Sequence, residues 1–315
     1  MLDSFKICNL LNIQYPIFQG GMACLGTAEL VSAVSNGGGL GIIGAGGAPA
    51  EWVKEQIKST REKTDKPFGV NVMLMSPHRD EVIKVTLEEK VNVVTFGGGN
   101  PGTYIPTFKK AEIVTIPVVA SVALAIRLER AGADAVIVEG VESGGHVGDT
   151  TTLALLPQVA DAVKIPVIAA GGIADGRGLI AALALGSQGI QMGTRFICSD
   201  ECIAHVKFKE LIVQARDRAT TVTGQTTGHP VRCLENKLTR QFAELEKSGA
   251  TKFELEEFGK GRLYLGVIQG NIEEGSLMAG QIAGLIKEIK PARQIILDIM
   301  AEAERTLEAL NRFKS

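Results

Sequence analysis

The chain has 315 residues, of which 45% are hydrophobic and only 5% aromatic, and its formal net charge at pH 7 is −2. A chain of this length can bury a sizeable core, and the near-zero charge excludes a general basic field for nucleic acid or an anionic membrane. The chain has no apolar run of the roughly 20 residues that a membrane span needs, and MLDSFKICNLLN does not resemble a signal peptide. We therefore expect a cytoplasmic protein.

Eight short apolar runs rich in β-branched residues alternate with amphipathic segments. Runs that are apolar on both faces are typical of strands in a buried parallel sheet, and eight strand–helix units predict a closed (β/α)8 barrel, the TIM-barrel fold. The predicted strands are Tyr15–Gln19, Leu40–Gly44, Phe68–Met73, Val91–Phe96, Ile116–Ser121, Asp134–Gly140, Ile165–Gly172 and Gly189–Thr194.

The alternation ends after the eighth strand. The segment 199–271 is more charged and has a helix–turn character, so it predicts a smaller cap domain inserted into a barrel that comprises 1–198 and 272–315. An amphipathic helix at Ser276–Ile289 and a long terminal helix at 292–313 are expected to complete the barrel. A single barrel with a long ordered loop remains the alternative.

Glycine-rich loops follow several of the predicted strands. Active sites of TIM barrels lie at the carboxyl ends of the strands, with phosphate often bound after strands seven and eight. AAGGIADGRG at 169–178 follows strand seven, and the helix start within it is predicted to direct free N–H groups at an anion. GTRF at 193–196 ends strand eight. Together with QGGMA, GAGG and FGGGNP these loops predict a phosphorylated planar cofactor, and FMN fits better than a sugar phosphate, although tight strand-to-helix turns are the alternative.

One of the four histidines lies in the glycine-rich loop VESGGHVGD after strand six. Because histidine exchanges protons near neutral pH and this loop belongs to the same rim, we predict that His146 is catalytic rather than merely solvated. His78 and His205 are expected at helix starts or on the surface. His229, between a glycine and a proline, is expected to be structural or to line a pocket.

The cysteines show no paired CxxC spacing and no neighbouring ligands that would complete a zinc site. We predict reduced structural thiols and no metal site. They are Cys8, Cys24, Cys198, Cys202 and Cys233.

The motifs FQGGMA, GLGIIGAGG, PFGVNVMLMSP, GGGNPG, EGVESGGHVG, IPVIAAGGIADG, QMGTRF, TGHPVR and EGSLMAGQIAGLI resemble, in this order, those of the nitronate monooxygenase-like flavoprotein superfamily. The likeness extends from about Tyr15 to Ile289. GVNVMLMSP, ESGGH and TGHPVR resemble its FMN-dependent enoyl-[acyl-carrier-protein] reductase II branch. Monooxygenase members more often have AGGHRG at the histidine, where this chain has Ser143 and Val147.

The resemblance implies an FMN enzyme that reduces a trans-2-enoyl thioester on acyl carrier protein with NADH, in fatty acid biosynthesis, with His146 as the proton donor or enolate stabiliser. NADPH in place of NADH, a monovalent cation and a homodimer are further expectations. Nitronate oxidation with O2, quinone reduction and non-catalytic FMN binding remain alternatives. The implied FMN-binding residues are Gly21, Met22, Ala23, Asn71, Glu139, Ser143, Gly144, Gly171, Gly172, Gly193, Thr194, Met278, Ala279, Gly280 and Gln281.

Basic residues outnumber acidic ones in part of the predicted cap. They form either a solvated charged face or a docking patch for an acidic carrier protein. The basic residues are Arg216, Arg218, Arg232, Lys237 and Arg240.

Overall fold

Eight parallel strands form a barrel in the computed structural model, which describes residues 5–311. The Leu40 N–H donates to the Ile17 carbonyl (2.9 Å) and thereby joins the first and second strands at the point where the barrel closes. The predicted (β/α)8 barrel is confirmed. The strands are β1 (Ile17–Gln19), β2 (Gly41–Gly44), β3 (Phe68–Met73), β4 (Val93–Gly97), β5 (Val114–Val119), β6 (Val136–Glu139), β8 (Val167–Ala170) and β9 (Gly189–Met192), in the spatial order β1-β9-β8-β6-β5-β4-β3-β2.

The helices that follow the strands cover the outside of the barrel. The terminal helix packs on α2, the helix that follows β1, and on α8, the helix between β8 and β9, and so covers the part of the barrel where β1 and β9 meet. The helices are α2 (Ala28–Asn36), α3 (Ala50–Lys63), α4 (Arg79–Glu88), α5 (Ile105–Lys110), α6 (Val122–Arg130), α7 (Thr152–Ala162), α8 (Gly176–Ala184) and α14 (Ala292–Asn311). Among residues 5–311, no helix is long and apolar enough to cross a membrane.

The barrel interior is a packed core of aliphatic and phenylalanine side chains such as Phe18 and Ile137, both completely buried. A first helix that the sequence pattern did not predict, α1 (Lys6–Leu11), contributes Ile7 and Leu11 to the same cluster. Its Lys6 N–H donates to the side chain of Gln188, just before β9, so α1 covers the amino-terminal end of the barrel. The opposite, carboxyl-terminal end is therefore the one left open for a site.

The segment between β9 and α14 contains both helices and a small sheet. In that sheet β11 (Val231–Leu234) pairs antiparallel with β10 (Thr220–Thr223) on one side and with the two-residue strand β7 (Gly145–His146) on the other. The sequence pattern indicated helices and turns here and did not predict this sheet. The division at 199–271 into a separate cap domain stays a prediction. The helices are α9 (Thr194–Ile197), α10 (Val206–Gln214), α11 (Lys237–Lys247), α12 (Lys252–Gly259) and α13 (Arg262–Val267).

The amphipathic helix predicted at Ser276–Ile289 is wrong. Met278 forms a bridge with Cys233 of β11, and only a short 3₁₀ helix follows at Gln281–Leu285. The backbone N–H of Gly280 donates to the Thr194 hydroxyl (2.9 Å) and that of Gln281 to the Glu142 carbonyl (2.9 Å), so neither makes the bond to the fourth preceding carbonyl that an α-helix requires. The predicted terminal helix is present as α14, and its positions 312 and 313 lie outside the described residues.

Candidate active site

A cavity of about 580 Å³ lies at the carboxyl ends of the barrel strands and reaches up to the segment after β9. It brings together most of the predicted site residues, although they are spread over nearly 260 positions of the chain. The predicted residues that line it are Gly21, Met22, Ala23, Asn71, Glu139, Ser143, Gly144, His146, Gly171, Gly172, Gly193, Thr194, Met278 and Gly280.

Two predicted cofactor residues do not line the cavity. Ala279 is completely buried, and its backbone lies against Gly144. The side chain of Gln281 is exposed, while its N–H donates to the Glu142 carbonyl (2.9 Å). These two residues join the segment 276–289, which returns to the barrel, to the histidine loop at 141–149. Their predicted role as cofactor contacts stays a prediction.

The loop after β8 lies at one end of the cavity. Gly171 and Gly172 both have positive φ angles, of 87° and 75°, which other residue types rarely adopt. Within residues 5–311, the N–H groups of Gly172 and of Thr194, which follows β9, have no hydrogen-bond partner in the protein. Unpaired N–H groups on two neighbouring glycine-rich loops are a fitting environment for a phosphate.

The predicted role of the α8 start in binding an anion is wrong. The Asp175 carboxylate accepts a hydrogen bond from the Gly178 N–H (3.0 Å), and the Glu302 carboxylate of α14 accepts one from the Gly176 N–H (2.9 Å). Two carboxylates of the protein thus occupy the donors of this helix terminus. An anion at this end of the cavity would meet the preceding glycine loop instead.

The cavity wall at Gly21 carries no side chain, which leaves room for a flat ligand. A Cβ on Gly21 would lie 2.2 Å from the Cβ of Asn71, so the loop after β1 touches β3 without space for a side chain. The Asn71 side chain donates to the Thr95 hydroxyl (2.9 Å), which fixes its orientation on the cavity wall. Ser143 has a buried hydroxyl without a hydrogen-bond partner in the described protein, beside the same cavity. A buried, unpaired hydroxyl indicates that a polar ligand completes this wall.

Glu139 ends β6 and carries the carboxyl group at the base of the cavity. Burial raises its pKa to about 7, and the nearby Ser143 hydroxyl offsets part of this rise although no hydrogen bond of normal geometry joins the two groups. Near neutral pH this carboxyl is therefore protonated in a large fraction of molecules and can then donate a hydrogen bond to a ligand.

The loop that carries His146 is held by two neighbouring elements, β11 and α7. Its backbone pairs with Val231 of β11, while the Arg232 guanidinium donates to the Val141 carbonyl (3.1 Å) at the start of the same loop. The Glu142 carboxylate accepts hydrogen bonds from the N–H and the hydroxyl of Thr152. The histidine loop is thus fixed to the small sheet on one side and to α7 on the other.

The His146 side chain is open to the cavity but has many protein atoms around it. This partial removal from water lowers its pKa, and the positive charge of His229 lowers it further. The imidazole is therefore neutral at pH 7 in most molecules. A neutral imidazole has one N–H donor and one basic nitrogen, so it can donate a hydrogen bond or accept a proton.

The other histidines lie away from the main cavity. His78 precedes α4, and His205 caps α10 by accepting the Lys207 N–H on its Nδ1 (3.2 Å), which agrees with their predicted places at helix starts. His229 lines a second, smaller cavity that adjoins the first. It therefore lines a pocket, one of the two roles expected for it.

The basic residues of the predicted docking patch do not form one charged surface. Arg232 is buried and bonded to Val141 and Thr220, so its inclusion in the patch is wrong. Lys237 pairs with Glu274 (2.8 Å), and Arg240 pairs with Glu235 (3.4 Å). Arg216 and Arg218 are exposed and have no ion-pair partner within the described residues.

Several lining residues were not among the predicted site residues. Five of the seven methionines of the chain line this cavity, and a methionine-rich wall is adaptable and apolar. The signal that could have identified them is the clustering of Met73 and Met75 directly after an apolar strand, at the end where TIM-barrel sites lie. Met22 and Met278 were among the predicted site residues, whereas Met73, Met75 and Met192 were not.

Known proteins resemble this chain in both sequence and structure. The family model of nitronate monooxygenase matches residues 5–82 and 75–302. FabK from Thermotoga maritima superposes with a TM-score of 0.97 and is 52% identical, covering 98% of this chain and 99% of that one. A probable nitronate monooxygenase of Staphylococcus saprophyticus is 37% identical over 77% of this chain and 82% of that protein. The (3aS,4S,5R,7aS)-5-hydroxy-7a-methyl-1-oxo-octahydro-1H-indene-4-carboxyl-CoA dehydrogenase of Rhodococcus jostii is 33% identical over 98% of both.

Proposed function

Because the chain belongs to the nitronate monooxygenase family, we propose that it is a flavoenzyme of that family's reductase branch, which reduces trans-2-enoyl thioesters of acyl carrier protein with NADH and FMN. The observation that carries this choice is the similarity to FabK over nearly the whole of both chains. The nitronate monooxygenase relative is less similar and covers a smaller part of the chain. The motifs ESGGH and TGHPVR favour the same branch.

The cavity fits FMN. The unpaired N–H groups of Gly172 and Thr194 would hold its phosphate, and the close contact of Gly21 with Asn71 would leave a flat wall for the ring system. The unpaired Ser143 hydroxyl would gain a partner on the cofactor. When bound, FMN supplies a carrier that takes a hydride from NADH and gives it to an electron-poor carbon.

His146 would bind the oxygen of the thioester. Addition of a hydride to the β-carbon of an enoyl thioester builds negative charge on the α-carbon and on the carbonyl oxygen. The neutral imidazole of His146 keeps one N–H, which can donate to that oxygen from the cavity wall. Such a donor contributes most when the charge develops, so it accelerates the reaction rather than tightening substrate binding.

The first experiment is anaerobic NADH oxidation by the FMN-loaded protein with and without crotonyl-CoA, with the saturated product identified. We expect oxidation that depends on the thioester. In His146→Ala the rate should fall by about 10²–10⁴-fold with FMN still bound, because the backbone rather than the imidazole holds the loop. His146→Gln, which keeps an N–H donor, is the matched control and should retain more activity. Near-normal turnover of His146→Ala would contradict the assigned role.

Nitronate oxidation is the second candidate, favoured by the basic nitrogen that a neutral His146 presents. The same preparation is therefore given a nitronate and O2. Oxygen consumption with a nitronate, combined with no thioester-dependent NADH oxidation, would replace the first proposal by the second.

The partner and assembly remain parts of the proposal. Of the five basic residues of the predicted docking patch, Arg216 and Arg218 are exposed and have no ion-pair partner within residues 5–311, so an acidic carrier protein would dock near them. NADH rather than NADPH, a monovalent cation, a homodimer and a cytoplasmic location stay predictions.

A further inference from the structure

A second cavity of about 320 Å³ adjoins the main one, and we call it the cap chamber. Its walls come from β10, β11, α11 and α12. Three residues line both cavities, Met75, His146 and Met278, so the chamber begins where the proposed catalytic side chain stands. A ligand group held at His146 can therefore continue into the chamber.

The walls of the cap chamber are mainly carbon. Aliphatic and aromatic side chains contribute most of the surface, and they are Val231, Leu238, Phe242 and Leu255, with the Cys233 thiol among them. Leu238 and Leu255 are buried, at 6% and 1% exposure, so these walls are held by the surrounding structure.

Three of the polar side chains in the wall have hydrogen-bond partners within the protein, and His229 and Thr223 are further polar residues of the wall. The charged groups of two others, Glu256 and Arg262, pair with Lys252 (3.7 Å) and Glu274 (3.7 Å). The Thr239 hydroxyl donates to the Asn236 carbonyl (3.0 Å) in the capping box of α11. The Thr227 hydroxyl donates to the Gly224 carbonyl (2.7 Å), and the Ser276 hydroxyl pairs with the Cys233 thiol (3.3 Å). Because these groups already have partners, the chamber offers a ligand chiefly van der Waals contact and removal from water.

We infer that the cap chamber receives the alkyl tail of the enoyl thioester and sets the preferred chain length. The inference rests on the proposed function and adds to it the place of the alkyl tail and the chain-length preference. At roughly 30 Å³ for each methylene-sized group, the chamber holds about ten carbons beyond the thioester carbonyl. The pantetheine arm then leaves through the mouth of the main cavity, so the tail and the arm occupy different openings.

The first test measures kcat/KM of the unmodified protein for trans-2-enoyl-CoA substrates from C4 to C16. Each methylene that enters an apolar chamber should raise kcat/KM by about fourfold. The rise should end near C12, because further carbons no longer find space. A profile that is flat from C4 to C12 would overturn the inference and leave the proposed reduction intact.

The second test fills the chamber. Gly259 lies at the end of α12 on the chamber wall, and a Cβ built there has only one neighbour within 4 Å, the Phe242 Cε2 atom at 3.9 Å. Gly259→Leu therefore adds a side chain without a backbone clash. Since it displaces about three methylenes, the ratio of kcat/KM for C12 to that for C4 should fall by about 60-fold.

Lys260→Leu is the matched control. It adds a leucine at the next position, where the side chain is exposed and pairs only with Glu257 at the surface. It should leave both the ratio and the separate rates unchanged. Gly259→Leu could instead lower kcat/KM equally for all chain lengths, or raise only the KM for NADH. Either result would show that the chamber holds something other than the tail. If no thioester of any length is reduced by the unmodified protein, the proposed function fails and the inference fails with it.

Discussion

Gly144→Ala tests the contact between the histidine loop at 141–149 and the segment 276–289, which returns to the barrel. We call this contact the seam. A Cβ at this position would lie 2.6 Å from the carbonyl carbon of Ala279, 2.7 Å from the Gly280 nitrogen and 2.8 Å from the Ala279 Cα. All three neighbours are backbone atoms and cannot rotate away. The two segments would have to part by about 0.8 Å to reach an ordinary contact distance, so the substitution acts as overpacking, with a cost of about 1–3 kcal/mol.

This cost can be expressed in two measurable quantities. If the seam stays closed, the free energy of unfolding falls by about 1–3 kcal/mol. If the seam opens, two hydrogen bonds weaken, from the Gln281 N–H to the Glu142 carbonyl and from the Gly280 N–H to the Thr194 hydroxyl. The cavity wall then shifts, and FMN must draw the two segments together again when it binds. The same 1–3 kcal/mol then raises the Kd of FMN by about 5- to 150-fold.

The assay combines urea denaturation of the cofactor-free protein with an FMN titration followed by flavin fluorescence. Gly47→Ala is the matched control, because Gly47 lines the same cavity and a Cβ there meets no atom within 4 Å. The control should change neither quantity. If Gly144→Ala also leaves both the unfolding free energy and the Kd of FMN unchanged, the close contact deduced at the seam is wrong.

Two further predictions follow from the shifted pKa values. Because the pKa of Glu139 is raised to about 7, the folded protein retains a proton that the unfolded chain releases, so stability declines as pH rises from 4.5 to 7. Glu139→Gln should remove this decline. In urea denaturation of the cofactor-free proteins, its free energy of unfolding relative to that of the unmodified protein should therefore rise by up to about 3 kcal/mol between pH 4.5 and pH 8. The same difference between the two proteins at both pH values would contradict the prediction. His229→Gln removes a positive charge that lowers the pKa of His146, so NMR titration of histidine-labelled protein should show that pKa rising, and no change or a fall would contradict the coupling.

The barrel and most of the site could be predicted from the sequence because both depend on local patterns. Each strand is an apolar run, and each glycine loop follows a strand directly, so a TIM barrel places these loops at one rim. The unpredicted features depend on contacts between distant positions. Strand β7 has only two residues, and its partner Val231 lies in another part of the chain, so no periodic pattern reveals it.

Two of the wrong predictions, the anion site at the start of α8 and the helix at Ser276–Ile289, have the same physical origin. The start of α8 has a recognisable capping residue in Asp175, but its second carboxylate comes from Glu302 of α14. The segment after Ser276 has apolar residues at helical spacing, yet the N–H of Gln281 donates to Glu142 rather than to its own turn. In both places a long-range hydrogen bond determines the structure that local sequence leaves open.

The position of His146 explains how one cofactor site can serve different reactions within this family. Gly144 is fixed to the returning chain that closes the barrel, whereas His146, two residues later, is paired with Val231 of β11. The walls proposed to hold the cofactor therefore belong to the barrel, and the side chain proposed to be catalytic belongs to the small sheet that also bounds the cap chamber. Replacements in β10, β11 or α12 can alter the substrate beside His146 while the barrel residues around the proposed FMN stay unchanged. On the proposed function, substrate choice in this chain is thus to be sought in the segment after β9, next to the cap chamber, rather than in the loops after β8 and β9 that are proposed to hold the phosphate.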